Sequence, residues 1–548
     1  LDLGINDTAF TGSADTVTLN AGALRSYAGL TGVSVSTGDG VDTLTLNETS
    51  YQNLANADVL TVDLGDGADS VIAAASGDFT LVNGATNGSL TLNNGVNTGT
   101  VVLNNFVTDG RGEAASLTGA AGNDSFNLSG HNGAVTVNGG GGTDSLTGQS
   151  ASDVTWNFTN ATTGTAVDDA NPAGTVTFNL IEEFIGSTGN DTFVLGAGVA
   201  AAIASIDGGT GNNTLDLTAA GANQTVTLTA VGTSGVGFAG NATGAGAFAI
   251  TAFDNVTNVL ANGANLNTLT GANLNSAWTI DGTVGTVATT AGPVRNLSFS
   301  NFVMLNGGTE NDSFVVIDDS TAAINTDTAI GGSGSDSVTV NAGQTLTILI
   351  PLAFGEGDDV LTLANGATLT GAGVNLGDGN NVVNLGTGAV VNGAITGGIG
   401  TDSVTLGTNA NVTGNITGGA GADSVVLGDG ATVGGQVQGG TGADTLSFAG
   451  YTTARTVTTT AAVGNGFTGT EAAVTGGFTG IDAVVGSLAT TDVLTSTIAG
   501  NALWLLDTNN VLQELTTNQQ LTFSAVERLN GVAGNDTFRF GAGVTESF

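Results

Sequence analysis

The residues in this chain best placed to do chemistry are aspartates that follow a glycine-rich turn and precede a short apolar strand. Asp402, Asp423 and Asp444 are spaced 21 residues apart. Running backwards, the same position is held by Asn381, Asp359, Asp336 and Asp312, at intervals that widen from 21 to 24 residues. Less regular copies place Asp15, Asp42, Asp69, Asp124, Asp144, Asp191, Asn213 and Asp536 in the same setting. Carboxylates repeated at so short an interval repel one another unless cations lie between them.

The elements that position these carboxylates follow from the residues around them. After each Asp or Asn comes Ser or Thr, then an apolar/polar alternation such as Ser403-Val404-Thr405-Leu406. A period of two means a strand with one buried face. Gly or Asn ends each strand. A repeat of about 21 residues holding two or three such strands reads as one turn of a winding backbone. The expected fold is therefore all-β, a parallel β-solenoid with about 20–27 residues per coil, loop insertions and almost no helix. Roughly 25 coils would stack about 4.8 Å apart. Candidate helices are confined to the surroundings of Leu24 and to residues 51–57.

The string GGAGADSVV, from Gly418 to Val426, fits the nonapeptide pattern G-G-x-G-x-D-x-U-x letter for letter. So do the strings that start at Gly397, Gly439, Gly331 and Gly139. On these residues the chain resembles the RTX, or haemolysin-type, calcium-binding repeat family, which occurs in bacterial surface-layer and giant secreted surface proteins. The resemblance implies a parallel β-roll with Ca²⁺ between successive turns, held by the aspartate and by glycine-turn carbonyls. Carried onto this sequence, the ligands are Asp402, Asp423 and Asp444 with Gly397, Gly400, Gly418, Gly421, Gly439 and Gly442. The same implication extends to Asp336, Asp312, Asp359, Asp144, Asp124, Asp191, Asp69, Asp42 and Asp536.

Elementary chemistry points the same way. Ca²⁺ takes six to eight oxygens at about 2.4 Å. Glycine allows a turn to point its carbonyls inward, and Asp is short enough to keep its carboxylate in the turn. Metal binding then becomes folding energy. The chain departs from the family in carrying one nonapeptide per repeat followed by about a dozen unrelated residues, so only one edge would carry calcium. Asn213 and Asn381 replace the aspartate, and the Gly119 and Gly186 turns keep only part of the glycine pattern. The alternative reading is a metal-free turn in which Asp serves turn propensity alone.

Three longer cassettes join a Trp to an aromatic-rich strand and a glycine turn, beginning at Trp156, Trp278 and Trp504. Each Trp reads as core filling or as a sugar-stacking platform; the alternation that follows favours the core. The third cassette stops soon after its turn, an open pattern that invites stacking on another copy or continuation of the chain.

Composition narrows the function classes. The formal net charge is -41, with no Lys and six scattered Arg, so a basic groove for nucleic acid cannot be built. Anionic lipid surfaces are disfavoured for the same reason. There is no Cys, and His131, in a glycine-rich stretch, reads as a surface turn residue. Zinc sites and Ser-His-Asp or Cys-His nucleophilic sites therefore lack their parts. The adjacent pairs Glu182-Glu183 and Asp358-Asp359 would point to opposite faces of a strand, which is wrong for paired-acid hydrolysis. No apolar run reaches the ~20 residues that span a bilayer.

The expected function is structural rather than enzymatic: a secreted, calcium-binding protein at a bacterial cell surface. It would serve as a surface-layer subunit or as the protomer of a fibre or biofilm matrix. Its partners would be other copies of itself, head to tail or in a lattice. The alternative is the stalk, or a carbohydrate-binding segment, of a giant adhesin with cell-surface polysaccharide as partner. Four segments are expected: N-terminal coils with insertions (1–115), a middle part with Trp cassettes (116–310), the most regular calcium repeats (311–450) and a C-terminal part with the third cassette (451–548).

Overall fold

A computed structural model gives the fold. Up to residue 113 it describes short separate stretches, nearly all of them strands. From 114 to 541 it describes every residue except 132, 150, 151, 222, 245–247, 265 and 328–333. The described residues contain strands and turns and no helix. Both candidate helices lie outside the described residues, as do Asp15, Asp42, Asp69 and Gly331.

The chain divides into two compact units, Leu1–Asn267 with Arg295–Phe299 and Thr268–Val294 with Ser300–Phe548. The second unit contains the regular repeats. Strands Ser337–Val340, Val360–Leu363, Val382–Leu385, Ser403–Leu406 and Ser424–Gly428 pair in parallel, each with the next, without a register shift. Between them runs a second series, Thr345–Ile348, Thr368–Gly371, Val390–Asn392, Asn411–Val412 and Thr432–Val433. A third runs Leu352–Ala353, Val374–Asn375, Ile395–Thr396, Ile416–Ala420 and Val437–Thr441. Each repeat thus contributes three short parallel strands.

The alternation explains the pairing. Val338, Leu361, Val383, Val404 and Val425 are buried and stand in register; Val340, Leu363, Leu385, Leu406 and Leu427 form the next buried row. The residues between them, such as Ser403 and Thr405, face outward and are half-buried. Slipping one residue would exchange the two faces, so the apolar rows fix the register.

The first unit follows the same rule with more interruptions. Ala114–Thr118 pairs in parallel with Ala134–Asn138 and with Ser70–Ala74. Ser125–Gly130, Ser145–Thr147, Glu183–Ile185 and Ala202–Asp207 form a second parallel series. Val154–Asn160, Thr192–Leu195 and Thr214–Asp216 form a third.

Among the described residues, four insertions are strands and not loops. In the first unit, Val154–Asn160, Thr163–Asp168 and Asn171–Asn179 form an antiparallel meander. Gln224–Val231, Phe238–Gly244 and Ala249–Val256 form another. In the second unit Thr456–Ala462, Phe467–Glu471 and Val474–Ile481 do the same, as do Ala502–Leu506, Val511–Glu514 and Gln520–Ser524. Their Thr- and Asn-rich sequences read as loops, yet the alternation continues through them, and β-branched Thr suits a pleated surface. Arg455 anchors the block at Thr456–Ile481. Its guanidinium pairs with the buried Glu471 and lies 4.2 Å from the centre of the Tyr451 ring.

All three Trp side chains are fully buried. Trp156 stacks on Phe193, Trp278 on Phe314 and Trp504 on Phe538, with centroids 5.7, 5.1 and 5.4 Å apart. They fill the core and offer no platform to a sugar.

Candidate functional site

The recurring aspartates stand at the entrance of parallel strands, and parallel pairing stacks them. In the second unit each ladder residue donates its backbone N–H to Oδ1 of the residue one repeat further on. Asp312 donates to Asp336 (2.7 Å), Asp336 to Asp359 (2.7 Å) and Asp359 to Asn381 (2.9 Å). The line continues from Asn381 to Asp402 (3.0 Å), Asp402 to Asp423 (2.8 Å) and Asp423 to Asp444 (2.9 Å). It runs on from Asp444 to Oδ2 of Asp482, at 3.1 Å.

The first unit holds two shorter lines. Asp124 donates to Asp144 and Asp144 to Glu182 Oε2. Separately, Val154 donates to Asp191 and Asp191 to Asn213. A further short line in the second unit joins Arg455 to Asp492 and Asp492 to Glu527. The sequence series that ran from Asp124 through Asn213 is therefore two series on different strands. Asp536 lies just before strand Thr537–Phe540, against Gly531.

Glu182, Asp482, Asp492 and Glu527 are ladder residues that the glycine-turn pattern missed. A weaker signal was present: an acidic residue one or two places before a short alternating strand, as in Asp482-Ala-Val-Val and Asp492-Val-Leu-Thr. Asn213 and Asn381 show that the acceptor does not have to be charged. Asn213 Nδ2 also donates to the Asn255 carbonyl, at 2.9 Å.

Gly418 and Gly421 show what the glycines do. A Cβ on Gly418 would collide with Oδ2 of Asp423, and 2.6 Å away it would meet the Gly439 carbonyl oxygen. Gly421 has φ +147° and would drive a Cβ into the Gly400 carbonyl. The matching glycines at 397 and 439, and at 400 and 442, are crowded in the same way. Close stacking of successive turns therefore requires glycine whether or not a metal is bound.

Most ladder carboxylates are buried, Asp423 being 4% and Asp444 1% exposed, whereas Glu182 and Asp482 are half-buried and Glu527 is exposed. The second carboxylate oxygen differs from turn to turn. At Asp144, Asp423 and Asp444, Oδ2 is buried and receives no hydrogen bond. At Asp402 it accepts the Gly398 amide (3.2 Å), and at Asp191 and Asp492 the Ser187 and Ser487 amides (2.6 and 2.7 Å). Burial pushes the Asp444 carboxyl up to about 6; the Asp423 amide opposes this, and the charges of Asp423 and Asp482 add to it. Burial likewise raises Asp144 and Asp191 to about 6 and Asp312 to about 7, and it raises Asp423. Parallel strands lie about 4.8 Å apart. Two ionised carboxylates at that spacing cost roughly 3 kcal/mol at an effective dielectric of about 20.

A cation is the chemical remedy for an ionised, buried oxygen with no donor. The residues fit one in a limited sense. Asp144, Asp423 and Asp444 offer one free carboxylate oxygen each, beside crowded turn carbonyls. Among the described residues, no three acidic or histidine side chains gather around one point. An ion here would draw most of its oxygens from backbone and water, as Ca²⁺ does readily.

His131 is buried, not on a surface turn; its amide donates to the Leu128 carbonyl and burial lowers its pKa to about 4. No helix among the described residues is long and apolar enough to cross a membrane. In comparisons with known proteins, no family model and no curated sequence matches this chain.

Proposed function

We propose that the chain is a structural, calcium-binding β-solenoid of a bacterial cell surface, a surface-layer subunit or the protomer of a secreted fibre or matrix. In this reading the three strand series of each repeat are the walls of one coil, and successive coils stack along the carboxylate lines. One observation carries it: the line from Asp312 to Asp482, in which every rung bonds to the next. Recurring polar side chains are spent on holding the backbone, as a load-resisting element requires. Ca²⁺ supplies the charge that the open oxygens of Asp144, Asp423 and Asp444 lack. Outside a cell, millimolar calcium fills even weak sites of this kind.

The adhesin-stalk alternative has lost its carbohydrate contact at the buried Trp side chains. Self-assembly through strand edges is the partner interaction that suits such a protein. The test is negative-stain microscopy of the purified chain with calcium, joined to circular dichroism during calcium titration. Sheets or continuous filaments that dissolve on chelation are expected. Isolated particles whose spectrum ignores both calcium and chelator would end the proposal.

A further inference from the structure

Not all rungs of the carboxylate lines are alike: Asp402 and Asp124 receive one turn amide on Oδ2, from Gly398 and Ala120, whereas at two other rungs a serine of the preceding turn adds a hydroxyl to its amide. At Asp423 and Asp444 the second turn residue is Gly419 or Gly440, and these two glycines pair with each other as part of the parallel ladder. Asp423 and Asp444 are left with buried, unpartnered Oδ2 atoms, as is Asp144. At Asp191 and Asp492 the same turn position is serine. Ser487 donates its amide to Asp492 Oδ2 at 2.7 Å, and its hydroxyl lies 2.9 and 2.8 Å from the two carboxylate oxygens. Ser187 gives its amide to Asp191 Oδ2 at 2.6 Å, with its hydroxyl 3.1 and 3.2 Å from the carboxylate. That hydroxyl shares its single proton with the Ser152 carbonyl, at 2.7 Å. Both serines are buried. Asp492 and Asp191 each also accept a backbone amide on Oδ1 from the neighbouring repeat.

We infer that the two extremes among these turns differ in chemistry: Asp144, Asp423 and Asp444 sit in cation-requiring turns, whereas Ser187 and Ser487 replace the cation and make Asp191 and Asp492 metal-independent. This rests on the calcium reading and refines it, because it removes Asp191 from the expected metal sites and gives Asp492 a reason to stay outside them. The physical reason is that a carboxylate oxygen needs positive potential, and two donors on one serine provide it without an ion. The spacing tolerates variation, since Ser187 precedes its aspartate by four residues and Ser487 by five.

The experiment is calorimetric titration of metal-stripped full-length chain with CaCl₂, beside thermal melts in chelator. The double variant Asp423→Asn/Asp444→Asn is expected to bind fewer ions than the parent chain. Asp191→Asn/Asp492→Asn is expected to keep the parent stoichiometry. Ser487→Gly should gain a calcium-restored melting component, and Ser487→Ala should lower the midpoint in chelator while the outward-facing control Ser424→Ala leaves it in place. Equal loss of ions in the two Asp-to-Asn pairs, with the parent chain binding calcium, would overturn this inference alone. A parent chain that takes up no Ca²⁺ would overturn it together with the calcium reading. An unchanged Ser487→Ala midpoint would overturn the role given to serine.

Discussion

The repeats between Asp336 and Leu427 and the cassette around Trp156 hold their strands together in different ways. In the repeats the buried apolar side chains are aliphatic except for Phe354, the strand residues stand in register, and a polar line stitches each strand entrance to the next. In the cassette the interior is aromatic. Trp156 packs against Phe178, Phe184 and Phe193, and Phe158 lies edge-on to Phe184 at 4.8 Å. Small side chains allow close stacking but bury little area each, so the repeat depends on regular hydrogen bonding. Large rings bury much area and tolerate the antiparallel detour. The comparison teaches that one fold can be maintained by register in one region and by bulk in another.

The sharpest way to break this contrast is Trp156→Ala. It should cost about 3–5 kcal/mol of the first unit's stability, and urea unfolding should show the same loss with calcium and with chelator. A loss that appeared only in chelator would show that the cassette leans on the metal. Next comes Asp423→Ala, which leaves the Asp402 amide without its acceptor and should cost about 1–3 kcal/mol. Asp423→Asn keeps an oxygen in place, as Asn381 does in the natural line, and should cost less than Asp423→Ala in chelator melts. Equal losses would mean that charge, not the hydrogen bond, is the working property.

His131 gives a pH probe outside the regular repeats. Burial holds its folded pKa at about 4, below the ordinary imidazole value of 6.5. The fold therefore favours the neutral ring, and the stability it contributes is present above about 6.5 and lost as pH falls toward 4. Between pH 7.5 and 5 the loss should be about 2 kcal/mol, measured as the difference in denaturation between wild type and His131→Leu. A difference that does not vary with pH would contradict the burial. The smallest effect concerns the indole of Trp504, whose buried Nε1 has no hydrogen-bond acceptor, whereas Trp278 Nε1 donates to Ser276 Oγ at 2.8 Å. Ala502→Ser places a hydroxyl at the matching position and should raise stability by about 1 kcal/mol, seen as a higher melting midpoint.

The parallel, all-β arrangement was legible because alternation after each aspartate is a direct statement about faces. The stacking of Asp402, Asp423 and Asp444 was legible from their constant interval. The antiparallel meanders were not, because Thr- and Asn-rich alternation serves a strand and a polar loop equally well. Glu182, Asp482, Asp492 and Glu527 were hidden because no Gly-Gly turn announces them, and the ladder needs only an oxygen at the strand entrance. His131 misled because its glycine-rich surroundings describe local backbone freedom, whereas its burial comes from residues distant in sequence. The Gly186 turn, which contains Ser187, looked like an imperfect glycine motif, and the turn at Ser487 carried no motif to mark it; in both, the serine donors face the carboxylate.

The constant 21-residue spacing of the rungs at Asn381, Asp402, Asp423 and Asp444 has a consequence for how such a chain changes length. Because the amide-to-Oδ1 bond between one pair of repeats is the same as that between the next pair, an in-frame duplication or deletion of 21 codons re-creates an existing bond without inventing a new one. Each such event would alter reach by about 4.8 Å and leave the flanking contacts as they were. Gain or loss of whole repeats thus becomes a means of adjusting span in fixed increments, with no intermediate that must fold differently.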